Sequence, residues 1–118
     1  MKRKPSTTKI SRPLLRTRKA EQMETAIRRA IHLIPRGKIA TYGQVAEAAG
    51  YPRYHRQVAQ VLRKCGDGLP WHRVLGSGGQ IRCKQDGGFE QRLRLEMEGV
   101  RFRGSRLDIA RYQYVFRG

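Results

Sequence analysis

Apolar residues recur every three or four positions in the first regular stretch of the chain, which begins near Lys19. This spacing places their side chains on one face of an α-helix, which is expected to end before Pro35. The stripe consists of Met23, Ala26, Ile27, Ala30, Ile31 and Ile34. Residues 1–18 contain Pro5, Pro13 and many cations without this period, so they are predicted to form a basic, disordered arm. The arm would serve either solubility or unspecific contacts with phosphates.

A second helix is predicted after a turn and a short strand at Ile39 and Ala40. Thr41 is a typical N-cap residue, and Gln44, three positions later, completes a capping box. The small apolar residues that follow indicate a short helix, and Gly50 is expected to end it.

The third helix, predicted for residues 54–65, has two contrasting faces. Its apolar face consists of Val58, Val61, Leu62 and Cys65. Its opposite face offers cations and amides from Arg56, Gln57, Gln60, Arg63 and Lys64. Two short helices joined by a turn that contains glycine, the second of which exposes such a face, are typical of a helix-turn-helix.

Glycine-rich segments divide the rest of the chain. Residues 76–79 separate residues 73–75 from residues 80–83, and this pattern predicts a β-hairpin in the position of the wing of a winged helix. A last helix, which Gly99 ends, is indicated by Phe89, Leu93, Leu95, Met97 and Val100. The sequence pattern of residues 101–118 does not predict which secondary structure they form. The predicted fold is therefore mainly α with a small β-hairpin, a winged helix-turn-helix domain over residues 19–118.

Charge narrows the class of partner. The 118 residues include 26 Lys and Arg against nine Asp and Glu, a net charge of +17. Eight of the basic residues precede the first acid, Glu21, so 18 basic and nine acidic residues remain after them. Such a field attracts polyanions, and nucleic acid above all, because binding releases the counterions of the phosphates. No apolar run approaches the roughly 18 residues of a membrane span, so no membrane partner is expected. The length fits one small domain, expected to be a monomer.

The residues offer little for catalysis or metal binding. Two cysteines are too few for a disulfide framework, which favours a reducing intracellular compartment. Cys65 lies on the apolar face of the third helix, where a thiol is protonated and unreactive. Cys65, His72 and Cys83 lack the close ligand pairs of structural zinc sites. Neither a phosphate-binding glycine loop nor another cofactor motif is found, so no metal and no cofactor are predicted.

The only tryptophan lies in the segment Pro70-Trp71-His72-Arg73-Val74. A lone tryptophan behind a proline is more often a plug in the core than the wall of a pocket, and the segment alone leaves both interpretations open. Four more segments matter: Ile34-Pro35-Arg36-Gly37-Lys38, Thr41-Tyr42-Gly43-Gln44-Val45-Ala46, Arg56-Gln57-Val58-Ala59 and Glu98-Gly99. In their order along the chain, the five segments resemble the DNA-binding, active-site domain of the O6-alkylguanine-DNA alkyltransferases.

One residue departs from the pattern of these enzymes. They carry the alkyl-accepting cysteine between proline and His-Arg-Val, where this chain has Trp71. Tryptophan at this position is the pattern of the alkyltransferase-like proteins. The resemblance implies that such proteins bind O6-alkylguanine in double-stranded DNA without repairing it and signal to nucleotide excision repair proteins. The chain is therefore expected to be a non-enzymatic sensor that flips the damaged nucleotide, with no catalytic residue.

The resemblance also implies roles for individual residues. The lesion pocket would be lined by Tyr42, Trp71, Val74, Leu75 and Lys84, with Val74 and Leu75 contributing backbone contacts. Arg56 would be the arginine finger that fills the gap in the base stack. Other DNA contacts would come from Thr41, Tyr42, Gln57, Gln60, Arg63 and Lys64. His72, Arg73 and Glu98 would support the loop. Packing of Tyr42 on the core and a phosphate contact for Arg56 are the alternatives.

Two other functions fit parts of the sequence. A winged-helix regulator or architectural protein without lesion specificity would explain the charge and the helix-turn-helix, but it has no need of the Pro-Trp-His-Arg-Val segment. An active alkyltransferase would have to use Cys65 or Cys83. The expected location is the nucleoid in a bacterium or the nucleus in a eukaryote.

Overall fold

The computed structural model describes the backbone of residues 4–65, 68–82 and 86–117, with the side chains of these ranges from Arg18 onward except that of Cys65. Helix α1 spans Lys4–Leu33 and so begins before the apolar stripe. The helical backbone from Lys4 differs from the predicted disordered arm, whose side chains, apart from that of Arg18, lie outside the described residues. A role of these residues in phosphate contacts or solubility remains a prediction.

The helix-turn-helix consists of α2 (Tyr42–Ala48) and α3 (His55–Cys65). The predicted capping box is confirmed, because Gln44 N donates to Thr41 Oγ1 at 3.1 Å and Thr41 N donates to Gln44 Oε1 at 2.9 Å. In the turn between the helices, Arg53 adopts a φ of 79°. This left-handed conformation is uncommon outside glycine, so the turn before α3 is strained at an arginine.

Two short strands, β1 (Ala40–Thr41) and β2 (Val74–Leu75), pair in parallel. The hairpin predicted around residues 76–79 is therefore wrong in its pairing: β2 pairs with the residues before α2, not with those after the glycines. What remains of the hairpin is one antiparallel bridge between Gly76 and Gln80. The chain between them forms a 3₁₀ turn, because successive glycines with positive φ close the loop tightly.

An antiparallel hairpin lies instead in the segment that the sequence pattern left unassigned. Helix α4 (Asp86–Met97) leads to β3 (Phe102–Arg103), which pairs with β4 (Arg106–Leu107), and α5 (Ile109–Tyr112) follows. The tail then runs beside Ile39, whose N–H donates to Tyr112 O at 2.9 Å. The mainly helical fold with small sheets is thus confirmed. No helix in the described ranges has the length and apolarity to cross a membrane.

The paired strands divide the interior into two apolar clusters. Successive side chains of a strand point to opposite faces, so Ala40 and Val74 join the first cluster while Ile39 and Leu75 join the second. The first cluster also contains Ile27, Ile31, Ile34, Val45, Val58 and Val61. The second also contains Leu95, Val100, Leu107 and Tyr112. The segment that follows Trp71 is therefore anchored in both clusters.

A matched pair of glycine substitutions tests the 3₁₀ turn. Gly78 and Gly79 share a φ of 78°, but a Cβ atom on Gly79 would lie 2.6 Å from Leu107 O, whereas on Gly78 the nearest atom is 3.8 Å away. Gly78→Ala should lower the free energy of unfolding by about 1–2 kcal/mol, the cost of a left-handed alanine. Gly79→Ala should lower it clearly further. Urea denaturation measures both, and equal losses would contradict the packing of the turn against β4.

Candidate nucleic-acid interface

A three-residue 3₁₀ turn, Trp71–Arg73, carries the only tryptophan between Pro70 and β2. The indole is half-buried and belongs to neither apolar cluster. It stands nearly perpendicular to the ring of His72, at 84° with 6.2 Å between the ring centroids. The tryptophan is thus placed as the wall of a cleft and not as a plug in the core.

The cleft that Trp71 lines has a volume of about 900 Å³. This volume lies within the range of sites that take small organic ligands. Four of the predicted lesion-pocket and finger residues line it: Tyr42, Arg56, Trp71 and Val74. Arg63 and Lys64 of α3 line it as well. Residues far apart in the sequence therefore meet at one depression of the surface.

Helix α4 forms the wall of the cleft that the sequence pattern did not reveal. Arg94 places its Cζ atom 5.5 Å from the centroid of the Trp71 ring, and Glu90 Oε2 accepts from Arg94 Nε at 2.9 Å. Gln91 is buried and donates from Nε2 to two backbone carbonyls beside Trp71, at 3.2 and 2.9 Å. A cation near an indole ring is attracted to it, so α4 fixes both the ring and its backbone.

Cations surround the mouth of the cleft. Arg28 of α1 and Arg82, after the glycine turn, line it together with the cations of α3. Glu24 pairs with two of these cations, with Lys64 Nζ at 3.0 Å and with Arg28 Nη1 at 3.8 Å. Lys64 thus links α3 to α1. The surplus of positive charge at the mouth suits a phosphate backbone.

Other predicted residues lie away from the cleft. Leu75 is buried in the second cluster, so its side chain does not line the cleft. The backbone contact predicted for Leu75 stays a prediction. Thr41 Oγ1 accepts the N-cap hydrogen bond of α2. Gln57 is half-buried and Gln60 exposed, and neither lines the cleft. Outside the described residues lie Lys84, Cys83 and the side chain of Cys65.

A buried carboxylate, Glu98, holds the Trp71 turn from behind. Arg73 donates to it from Nε at 3.0 Å and from Nη2 at 2.8 Å. His72 Nε2 lies 2.7 Å from Glu98 Oε2, and because a carboxylate only accepts, His72 is the donor. The backbone N–H of Gly37 donates at 3.0 Å. The three residues predicted to support the loop therefore form one cluster, joined to the turn after α1.

The charge of Glu98 is stabilised by its partners. Burial alone would raise the pKa of the carboxyl, but hydrogen bonds from Arg73, from the Gly37 backbone and from His72 outweigh burial and lower the pKa from 4.5 to about 2. Glu98 is therefore ionised at neutral pH and binds three donors at once. Among the described residues, no three or more His, Cys, Asp or Glu side chains are grouped to hold a metal ion.

A helix-turn-helix next to a cation-rimmed cleft of this size defines a DNA-binding module with a pocket. Residues 22–100 match the family model described as the DNA-binding domain of 6-O-methylguanine DNA methyltransferase. The match covers well over half of the chain, and the chain belongs to this family.

Two relatives are similar over most of their length. A DNA base-flipping protein of Vibrio parahaemolyticus is 43% identical over 82 residues, which cover 68% of this chain and 82% of that protein. Alkyltransferase-like protein 1 of Schizosaccharomyces pombe is 40% identical over 84 residues, 68% of this chain and 78% of that protein.

Solved structures show the same fold. The S. pombe alkyltransferase-like protein, in a complex with damaged DNA that contains O6-carboxymethylguanine, has a TM-score of 0.71 and 35% identity. The match covers 80% of this chain and 96% of that one. The O6-methylguanine methyltransferase of Mycobacterium tuberculosis has a TM-score of 0.54 and 27% identity over 64% of this chain and 47% of its own.

Glu98→Gln tests the buried carboxylate. The folded pKa of about 2 lies below the unfolded value of 4.5, so ionised Glu98 stabilises the fold above about pH 4.5, and this stability is lost as the pH falls toward 2. At neutral pH the variant should be less stable by a few kcal/mol, and the difference should shrink in acid. Urea denaturation across this range measures both proteins.

Glu96→Gln is the matched control, because Glu96 is exposed and its ion pair among the described residues is the one with Arg92 at the surface. A surface pair contributes about 0–1 kcal/mol, so this variant should follow the wild type in acid. If the free energies of unfolding of the wild type and of Glu98→Gln fell in parallel as the pH was lowered, the stabilising role of the ionised Glu98 carboxylate would be refuted.

Proposed function

We propose that this protein is a non-enzymatic sensor of O6-alkylguanine in double-stranded DNA, and that it takes the modified base into the cleft beside Trp71. One observation carries the proposal: an indole lines the cleft at the position that the resemblance assigns to the alkyl-accepting cysteine. The relatives named DNA base-flipping protein and the S. pombe relative bound to DNA with O6-carboxymethylguanine support it.

Flipping needs a group that displaces the nucleotide and a group that fills the gap. Tyr42 is the first residue of α2, is packed against the first cluster and lines the cleft, so it offers a fixed aromatic edge. Arg56 is exposed in the first turn of α3 and lines the same cleft. Its planar guanidinium can enter the base stack and pair with the orphaned base. We assign the finger to Arg56 and the displacement of the target phosphate to Tyr42.

The energetics favour a modified base over an intact one. Extruding a nucleotide costs a few kcal/mol, and less where the base pairs poorly, as an alkylated guanine does. Stacking on an aromatic side chain contributes about 1–3 kcal/mol per base. The indole of Trp71, held by Arg94, provides this stacking surface and an apolar wall for the alkyl group. Only a base that is already weakly paired gains enough to remain in the cleft.

Alkyl transfer is not part of the proposed function. A covalent acceptor must be a nucleophile activated by a base within reach, and an indole is no substitute for a thiolate. The imidazole of His72 is engaged through Nε2 with Glu98. We therefore assign His72, Arg73 and Glu98 to positioning the turn.

A sensor that leaves the lesion in place depends on another system to remove it. We propose that the bound complex recruits nucleotide excision repair proteins, that the protein acts as a monomer, and that it resides where the DNA is. The recruitment step is measured by how much the protein stimulates incision of a lesion-bearing duplex by purified excision repair proteins.

Trp71→Ala should weaken binding to a duplex with O6-methylguanine about 10–100-fold, the loss of one stacking contact. Binding to the same duplex with guanine should change little. Arg63→Ala should weaken both alike, because a phosphate contact carries no information about the base. Gel shifts at matched salt measure the four affinities, and thermal denaturation confirms that each variant folds.

Equal affinity of the wild-type protein for the two duplexes would refute lesion recognition. A footprint at one defined sequence, indifferent to alkylation, would favour the winged-helix regulator instead. Unfolding of Trp71→Ala would show that the indole is needed by the core.

Incubation with a duplex that contains O6-methylguanine should leave the mass of the protein unchanged. Transfer of the methyl group would add a methyl mass to the intact chain, which mass spectrometry detects directly. A methylated Cys65 or Cys83 would identify an active alkyltransferase and overturn the proposal of a sensor.

A further inference from the structure

Arg82 lies at the cleft beside the strand that follows Trp71. It comes after the glycine turn and lines the cleft together with Trp71 and Val74. Its side chain lies across Gly76, the residue after β2, where a Cβ atom would be 2.8 Å from Arg82 Cγ and would also clash with Nε. Gly76 is buried, and its N–H donates to Gln80 O at 2.8 Å. The missing side chain of Gly76 thus leaves the space in which the stem of Arg82 lies.

The backbone of Gly76 does not itself require glycine. Its φ of −75° and ψ of 171° are extended values that residues with a side chain also adopt. The close approach of Arg82 is therefore the feature that excludes a side chain at this position. Because the stem of Arg82 lies against a buried stretch of backbone, the guanidinium at its end is restricted in position.

The cleft holds more cations than carboxylates to pair with them. Among the described residues, six Lys and Arg side chains and a single acid, Glu90, line it. Glu90 is occupied by Arg94, which donates to Oε2 from Nε and Nη2 at 2.9 and 2.6 Å. An anion that entered the cleft would therefore meet positive charge that no carboxylate of the cleft neutralises.

Arg82 differs from Arg56 and Arg63 of α3, which the proposed function assigns to the base stack and to a phosphate. It lies beside β2 instead, since Gly76 follows Val74 by two residues, a span of about 7 Å in an extended chain. No described residue forms a hydrogen bond, an ion pair or a ring contact with the Arg82 guanidinium. Its N–H donors are thus available to an anion that lies against the wall of the cleft.

We propose that Arg82 selects O6-alkylguanines whose alkyl group ends in a carboxylate, such as O6-carboxymethylguanine. The CH₂ group of this adduct would lie against the apolar wall that Trp71 and Val74 form. The carboxylate would accept two hydrogen bonds from the planar guanidinium. The inference rests on the proposed function, to which it adds the chemical class of the preferred lesion and the residue that recognises it.

Charge decides between two lesions of nearly equal shape. A carboxymethyl group is ionised at neutral pH, as an aspartate side chain is, and an apolar pocket without a cation would reject it because burying an unpaired charge is costly. The carbamoylmethyl group, its amide, carries no charge. The wild type should therefore bind a duplex with O6-carboxymethylguanine about tenfold or more tightly than the same duplex with O6-carbamoylmethylguanine.

Two variants test this preference in different ways. Arg82→Met keeps most of the stem and removes the charge, whereas Gly76→Ala keeps the charge and displaces the stem. In gel shifts at matched salt, both should bring the ratio of the two affinities close to one. Arg103→Met removes an exposed cation of β3 that does not line the cleft, and it should keep the wild-type ratio. A ratio within one variant cancels any general loss of stability or of affinity for DNA.

An equal loss of affinity for both duplexes in Arg82→Met would show that Arg82 binds a DNA phosphate, and it would overturn the inference. A wild-type ratio near one, or an unchanged ratio in either variant, would overturn it as well. Comparison of O6-methylguanine with guanine separates this failure from that of the proposed function. If the wild type prefers O6-methylguanine but does not prefer the carboxylate to the amide, the inference alone fails. If it binds O6-methylguanine and guanine alike, lesion recognition fails, and the inference fails with it.

Discussion

The Glu98 carboxylate joins three segments that are distant in the sequence: the turn after α1, the Trp71 turn and the end of α4. Arg73 reinforces the junction, since it also donates from Nη1 to Ile34 O at 2.9 Å. A buried charge is tolerated only while its hydrogen bonds are intact, and removing one partner leaves an uncompensated charge. The three segments must therefore assemble together, and the orientation of Trp71 follows from that assembly. In the proposed function, Glu98, His72 and Arg73 serve as a structural clamp.

In the proposed function, attraction to DNA and selection of a base are separated. The cations around the cleft act over distance and are screened by salt, whereas the indole would act only on a base that has left the stack. Long-range charge brings the protein to any DNA, and the cleft retains it at few sites. This separation explains why so basic a chain also needs a half-buried aromatic residue.

The sequence predicts the features that depend on neighbours along the chain. The apolar spacing of α3 and the Thr41–Gln44 capping box are local, and both are found where they were expected. Helix α1 ends before Pro35 as expected but begins at Lys4, earlier than its apolar spacing indicated. The pairing of Val74 with Ala40 and the contact of Arg94 with Trp71 are long-range, and no local pattern reports them. Helix α4 shows a further limit. The apolar residues that recur every four positions along α4 lie on its solvent face. Its packed face is occupied partly by Gln91, a polar residue that donates to two backbone carbonyls.

The parallel pair of β1 and β2 has a consequence for the history of the fold. Its ladder consists of backbone groups, and the side chains that it sends into the two clusters come from residues other than 71. The pairing of these two strands thus does not use the side chain of residue 71. A lineage could exchange a reactive residue there for an unreactive one, or the reverse, without first inventing a new scaffold. Under the proposed function, a protein that repairs a base and one that only reports it can share this scaffold and differ at residue 71.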